Sequence, residues 1–162
     1  MRTERVVLAG LVVVIISAVL FAVNAERNEN AGENALVGSW KVRVNAVTGP
    51  PAHFDELITF SPGGGILESN NFPFFQSGLT ASAGHGTWHY TGKQTFSFTF
   101  VKFLYTTTGQ SAGTLKVVGT ITYTPGDDTW SGPATVSMCN PADVCNLLGT
   151  TDGKATRIVA PQ

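Results

Sequence analysis

An all-β domain, an eight-stranded antiparallel up-and-down β-barrel preceded by a hydrophobic export helix, follows from three features of the sequence. Gly is abundant, 18 of 162 residues, and helix-forming runs are scarce. Thr, Val and Phe, residues that suit a pleated strand, fill the short segments between the glycines. Those segments number eight and follow one another through tight turns, which favours a sequential meander. Closing such a sheet on itself removes its edges. A two-layer sandwich is the competing arrangement, because strand number alone does not fix closure.

The export helix is Val6 to Val23. It is 18 residues long, uncharged, with Ser17 its one polar side chain, and it follows Arg2 and Arg5. As a helix it is about 27 Å long at about 1.5 Å per residue, close to the roughly 30 Å hydrocarbon core of a bilayer. Residues 1–25 therefore read as a signal peptide cut after Val23-Asn24-Ala25, or as an uncleaved N-terminal membrane anchor. In both readings the basic start stays cytoplasmic and Glu26 onward emerges outside. The expected location is extracytoplasmic: secreted or periplasmic, or anchored with the domain outside and residues 6–23 as its sole membrane contact. Residues 26–36, which begin ERNENAGEN, are polar, lack apolar periodicity and read as a flexible linker. The barrel domain is placed at 37–159.

Within it, Ser39 to Val47 alternates, with Trp40, Val42, Val44 and Ala46 on one face, until Thr48-Gly49-Pro50-Pro51 ends the strand. Glu56 to Ser61 and Ile66 to Asn70 flank the turn Pro62-Gly63-Gly64-Gly65 and form a hairpin. Asn71 to Gly84 is a longer loop holding Phe72, Phe74, Phe75 and Leu79. Gly86 to Thr91 and Thr95 to Tyr105 flank Gly92-Lys93. Thr114 to Thr124 and Thr129 to Met138 flank Pro125-Gly126-Asp127-Asp128, and Leu147 to Val159 holds the last strand. Pro133 cannot donate a ladder hydrogen bond, so a bulge or local opening is expected there.

Composition excludes some functions. Eight Lys/Arg and ten Asp/Glu follow residue 25 without clustering, so no basic stripe for nucleic acid exists. Cys139 and Cys145 are the two cysteines, and an even count in an exported chain implies a disulfide. Chain entropy gives so short a loop roughly 2–2.5 kcal/mol. His85 and His89 have metal-like spacing, but four residues of strand span about 13 Å, too far for one ion. His53 and Asp55 lack a nucleophile elbow and read as a loop before the second strand. No catalytic residue, metal or cofactor is expected.

The aromatics carry the binding expectation. Phe96, Phe98 and Phe100 share one face of the fifth strand, and Leu115, Val117, Gly119, Ile121 and Tyr123 share one face of the sixth. They line an apolar cavity or fill a solid core, since small barrels do either. Gly119 among large neighbours signals space or the close approach of an aromatic. Phe72, Phe74 and Phe75 lid or plug the barrel mouth. The candidate ligand contacts are therefore Phe72, Phe74, Phe75, Tyr90, Phe96, Phe98, Phe100, Val117 and Tyr123. Glu68, Lys102, Tyr90 and Tyr123 would orient a ligand or act as acid or base if turned inward. Surface is the expectation for Glu68 and Lys102.

Gly38-Ser39-Trp40 on the first strand and Arg157 on the last resemble the lipocalin superfamily. That resemblance implies that Trp40 stacks on Arg157 beneath the barrel, a contact of about 0.5–2 kcal/mol. The T-D-Y element of true lipocalins is not recognisable, and no C-terminal helix is expected. Leu57 to Asn70 (LITFSPGGGILESN), Gly84 to Tyr105 (GHGTWHYTGKQTFSFTFVKFLY), Val118 to Ile121 and Gly153 to Ile158 resemble a group of small bacterial exported, lipocalin-like (calycin-type) proteins without assigned activity. A weaker likeness in shape is to allene oxide cyclase-type barrels, and no residue motif carries it. The function expected is binding of a small apolar molecule without catalysis. The alternatives are an isomerase or cyclase, with Glu68 or Tyr123 polarising its substrate, and a structural or interaction module of the cell envelope. The oligomeric state stays open.

Overall fold

The computed structural model describes Gly32, residues 34–50 and residues 52–161. The expected export helix and most of the linker lie outside the described residues. The strands are β1 (Gly38–Thr48), β2 (His53–Phe60), β3 (Gly65–Asn70), β4 (Leu79–Ala81), β5 (Gly84–Gly92), β6 (Thr95–Thr106), β7 (Ser111–Thr124), β8 (Thr129–Cys139) and β9 (Cys145–Arg157). A 3-10 turn at Phe74–Ser77 precedes β4. β4 and β5 both pair with β6, one after the other, and form a broken fourth stave. Every pairing is antiparallel between sequential staves, and β1 pairs with β9 to close the ring. The wall is a closed eight-stranded up-and-down barrel, and the sandwich alternative falls.

At Pro133 the ladder is interrupted without a bulge, and the two strands stay close. The β7–β8 ladder keeps one register from Thr114↔Cys139 to Thr124↔Thr129, yet skips Thr120 and Ile121 opposite Gly132 and Pro133. Gly119 is explained by its neighbour: a Cβ there would sit 2.7 Å from the Phe98 ring. The aromatic takes the space the glycine leaves. The disulfide Cys139–Cys145 ties the end of β8 to the start of β9, as fits an oxidising compartment.

One end of the barrel is sealed. Trp40, Phe60, Trp88, Phe96, Trp130 and Ile121 are buried there with Leu36. Their rings meet edge to face, with centroids 6.2 Å apart for Trp40–Tyr123, 6.0 Å for Phe60–Trp88 and 5.8 Å for Trp88–Phe96. Such pairs add about 0.5–1.5 kcal/mol beyond area burial. The Arg157 guanidinium lies 4.2 Å from the Trp40 ring centroid. It donates to the Val37 and Ala35 carbonyls at 2.6 and 2.7 Å and to the Asp128 carboxylate at 2.7 Å. Gly38 makes room for this: its φ is +131°, and a Cβ would lie 2.6 Å from Arg157 Nη1. The Trp40 indole donates to the Leu36 carbonyl at 2.9 Å. The floor thus pairs the indole N–H of Trp40 and sets its ring against Arg157, Tyr123 and Trp130.

Candidate ligand cavity

Above the floor the barrel is hollow. A cavity of about 220 Å³ runs from Trp130 and Ile58 toward the opposite end. Its origin is an imbalance of side-chain size. Inward positions on β8 and β9 hold Gly132, Ala134 and Gly153, while β6 opposite holds Phe98 and Phe100. The small residues do not fill the space the phenyl rings leave. Val42, Val44, Leu115, Val117 and Val136 complete an apolar wall. An engineered apolar cavity of roughly 150 Å³ in another protein accepts benzene, so this one suits one substituted ring. It lies below the roughly 300 Å³ at which drug-sized sites begin.

The mouth is partly covered by the loop after β3. Phe54, Phe72 and Phe74 stack edge to face there, with centroids 5.3 and 4.7 Å apart. Asparagines pin the loop: Phe72 N–H donates to Asn70 Oδ1 at 3.1 Å, and Asp55 N–H to Asn71 Oδ1 at 2.9 Å. The 3-10 turn sends consecutive side chains in different directions. Phe74 enters the cavity wall, whereas Phe75 is 68% exposed.

A polar cluster sits beside this mouth. Glu68 and Lys102, expected at the surface, are buried at 1% and 3% exposure. The reason is strand parity. Lys102 continues the inward stripe Phe96, Phe98, Phe100, and Glu68 lies between inward Ile66 and Asn70. The outward positions Val101 and Phe103 are apolar and exposed, which masked that parity. The ammonium of Lys102 lies 2.9 and 3.1 Å from the two Glu68 oxygens. Asn70 Nδ2 donates to Glu68 Oε1 at 2.9 Å. Burial pushes the Glu68 carboxyl above its ordinary 4.5, and Lys102, Asn70 and the Gly84 N–H pull it back.

Glu56, absent from the sequence-based candidates, is the one ionisable side chain among the described residues lining the cavity. Alternation on β2 could have found it, since Phe54, Ile58 and Phe60 share its face. Its carboxyl is pushed from the ordinary 4.5 to about 8. Burial is the main cause and the Glu68 carboxylate adds to it; Lys102 and Asn70 oppose. At neutral pH Glu56 is therefore mostly a neutral acid. Trp130 supplies a second polar group. It is 4% exposed, it lines the cavity, and its indole N–H has no partner among the described residues.

The sequence-derived contacts thus divide. Phe72, Phe74, Phe98, Phe100 and Val117 line the cavity. Phe96, Tyr90 and Tyr123 pack in or against the core at the floor, and Tyr123 donates to Asp128 at 3.2 Å. Phe75 stands outside. His85 and His89 are exposed on the outer wall, with His89 beside Ser97 Oγ. His53 is exposed, and Asp55 pairs with Arg43 at 2.8 Å.

No protein-family model and no curated protein matches the chain. Among solved structures the chain is similar to the crystal structure of Rv2717c from M. tuberculosis, at 15% identity and a TM-score of 0.38. The match covers 77% of this chain and 94% of that one. The barrel described above rests on its own strand pairing.

Proposed function

We propose that this protein is an exported, lipocalin-like barrel that binds a small apolar molecule in the cavity between Phe98, Phe100 and the β8–β9 wall. The observation that carries the reading is an apolar hollow in an otherwise tightly packed barrel. Interiors ordinarily close such spaces, because each cubic ångström of void costs about 24 cal/mol. A void this size, opening beneath a pinned aromatic loop, is better explained by an occupant. Thermal unfolding with cumene, a hydrocarbon of suitable size, tests it. A ligand at about 100 times its Kd adds about 2.7 kcal/mol, so the wild-type melting temperature rises. Ala134→Phe fills the cavity and abolishes the rise. No rise in the wild type, or an equal rise in both proteins, rejects the proposal.

A second reading, an isomerase, is favoured by Glu56. An acid titrating near 8 inside an apolar pocket suits proton transfer at neutral pH. It shares the same cavity and differs in predicting turnover.

A further inference from the structure

The cavity is chemically asymmetric. Glu56 and Trp130 are both donors at neutral pH, and neither Lys102 nor Glu68 is among the lining residues. Lys102 is instead paired with Glu68, so the cavity offers no cation to an anionic ligand. Along the ladder, Glu56 on β2 faces Val42 on β1, Val42 faces Ala155 on β9, and Ala155 faces Trp130 on β8. Glu56 and Trp130 therefore end one continuous row of cross-strand partners, with small side chains between them. Adjacent strands are about 4.8 Å apart, so the row is an arc of about 14 Å along the wall, and a single-ring molecule held at Glu56 occupies one end of it.

Resting on the apolar-binding reading above, we propose that Glu56 is the polar anchor of the cavity and that the ligand is a compact, neutral, largely apolar molecule with a hydrogen-bond acceptor, such as a ketone or lactone oxygen, held against its carboxyl. Three physical facts support this. Trp130, which also lines the cavity, carries an indole N–H without a partner among the described residues, and a buried donor without an acceptor is costly until one arrives. An ammonium ligand would require a second buried ion pair beside the first, whose desolvation offsets its attraction. A carboxylate ligand would face Glu56 and, behind it, Glu68. The groups facing Glu56 are Glu68 and Asn70 on β3 and Lys102 on β6, while β1 presents Val42. The proton on Glu56 is what the ligand oxygen accepts, so binding depends on pH.

The test is a set of probes with equal numbers of non-hydrogen atoms: acetophenone, cumene, 1-phenylethylamine and benzoate. Affinities are measured by calorimetry on the barrel from pH 6 to pH 10. Acetophenone is expected to bind about tenfold tighter than cumene at pH 6, one hydrogen bond's worth. The advantage fades as pH rises through about 8, where Glu56 ionises. Glu56→Gln keeps an N–H donor, so its preference for acetophenone persists to pH 10. Glu56→Leu loses the preference while still binding cumene. Tightest binding of 1-phenylethylamine or benzoate overturns the proposal, as does equal binding of acetophenone and cumene by the wild type. If cumene also fails to bind, the apolar-binding reading falls with it; if cumene binds without an acetophenone preference, the ligand class alone falls.

Discussion

The two ends of this barrel solve the same problem differently. At the floor, Arg157 crosses the opening, stacks on Trp40 and satisfies two carbonyls and a carboxylate. Large aromatics meet edge to face there. At the mouth, small inward residues leave a void, and ionisable groups lie beside it with little solvent to support them. The contrast is one of packing. The sealed end fills its space with rings, and the open end keeps ionisable groups beside a hollow.

The largest effect should come from breaking the interior ion pair. Lys102→Met leaves Glu68 buried without its cation, and loss of one partner of such a pair costs about 3–5 kcal/mol. Urea unfolding near pH 7 measures this. A cost under about 1 kcal/mol would mean that water reaches Glu68 and that the mouth is wetter than its burial implies. Next in size is Arg157→Ala at the floor. It removes charge-assisted hydrogen bonds and the stack on Trp40, for about 2–3 kcal/mol. A near-neutral outcome would dissolve the distinction between the two ends.

The effect with the smallest lower bound is the most diagnostic, because its size changes with pH. Glu56 has its native pKa raised from 4.5 to about 8. Between those values the native protein holds a proton that the unfolded chain has released. The contribution of Glu56 to stability is therefore fully present below about pH 4.5 and is lost as pH rises through 8. Glu56→Gln should match the wild type at pH 5 and exceed it at pH 9 by at least about 1.4 kcal/mol, the equivalent of one pKa unit. Denaturant titrations at both pH values decide it. A pH-independent difference would place Glu56 in ordinary solvent and remove the anchor argued for above.

Most of the wall was legible from residue order, because period-two alternation and Gly/Pro turns are local signals. The hairpin around Pro62 to Gly65 and the arm from Thr95 to Tyr105 fall where those signals put them. The fourth stave was less legible. Leu79–Ala81 is too short to show alternation, and its pairing with β6 is a tertiary fact. The site was half legible. Phe72, Phe74, Phe98, Phe100 and Val117 read as apolar positions and line the cavity. Tyr90, Phe96 and Tyr123 have the same pattern and belong to the floor instead, because alternation gives the face of a residue and not its height in the barrel. Glu56, Glu68 and Lys102 were hidden by composition: charged residues are expected outside, and exposed Leu57, Leu67, Val101 and Phe103 beside them reversed the usual contrast.

Arg157 and the Val37 carbonyl it grips are 120 residues apart in the chain. Joining them requires that the first and last staves find each other, a contact with a large loop-closure cost and a slow search. Nothing short of the final strand can complete the ring, so a nascent chain has neither its plug nor its hollow. Closure of the wall and formation of the space inside it arrive together, at the moment the last ribbon docks.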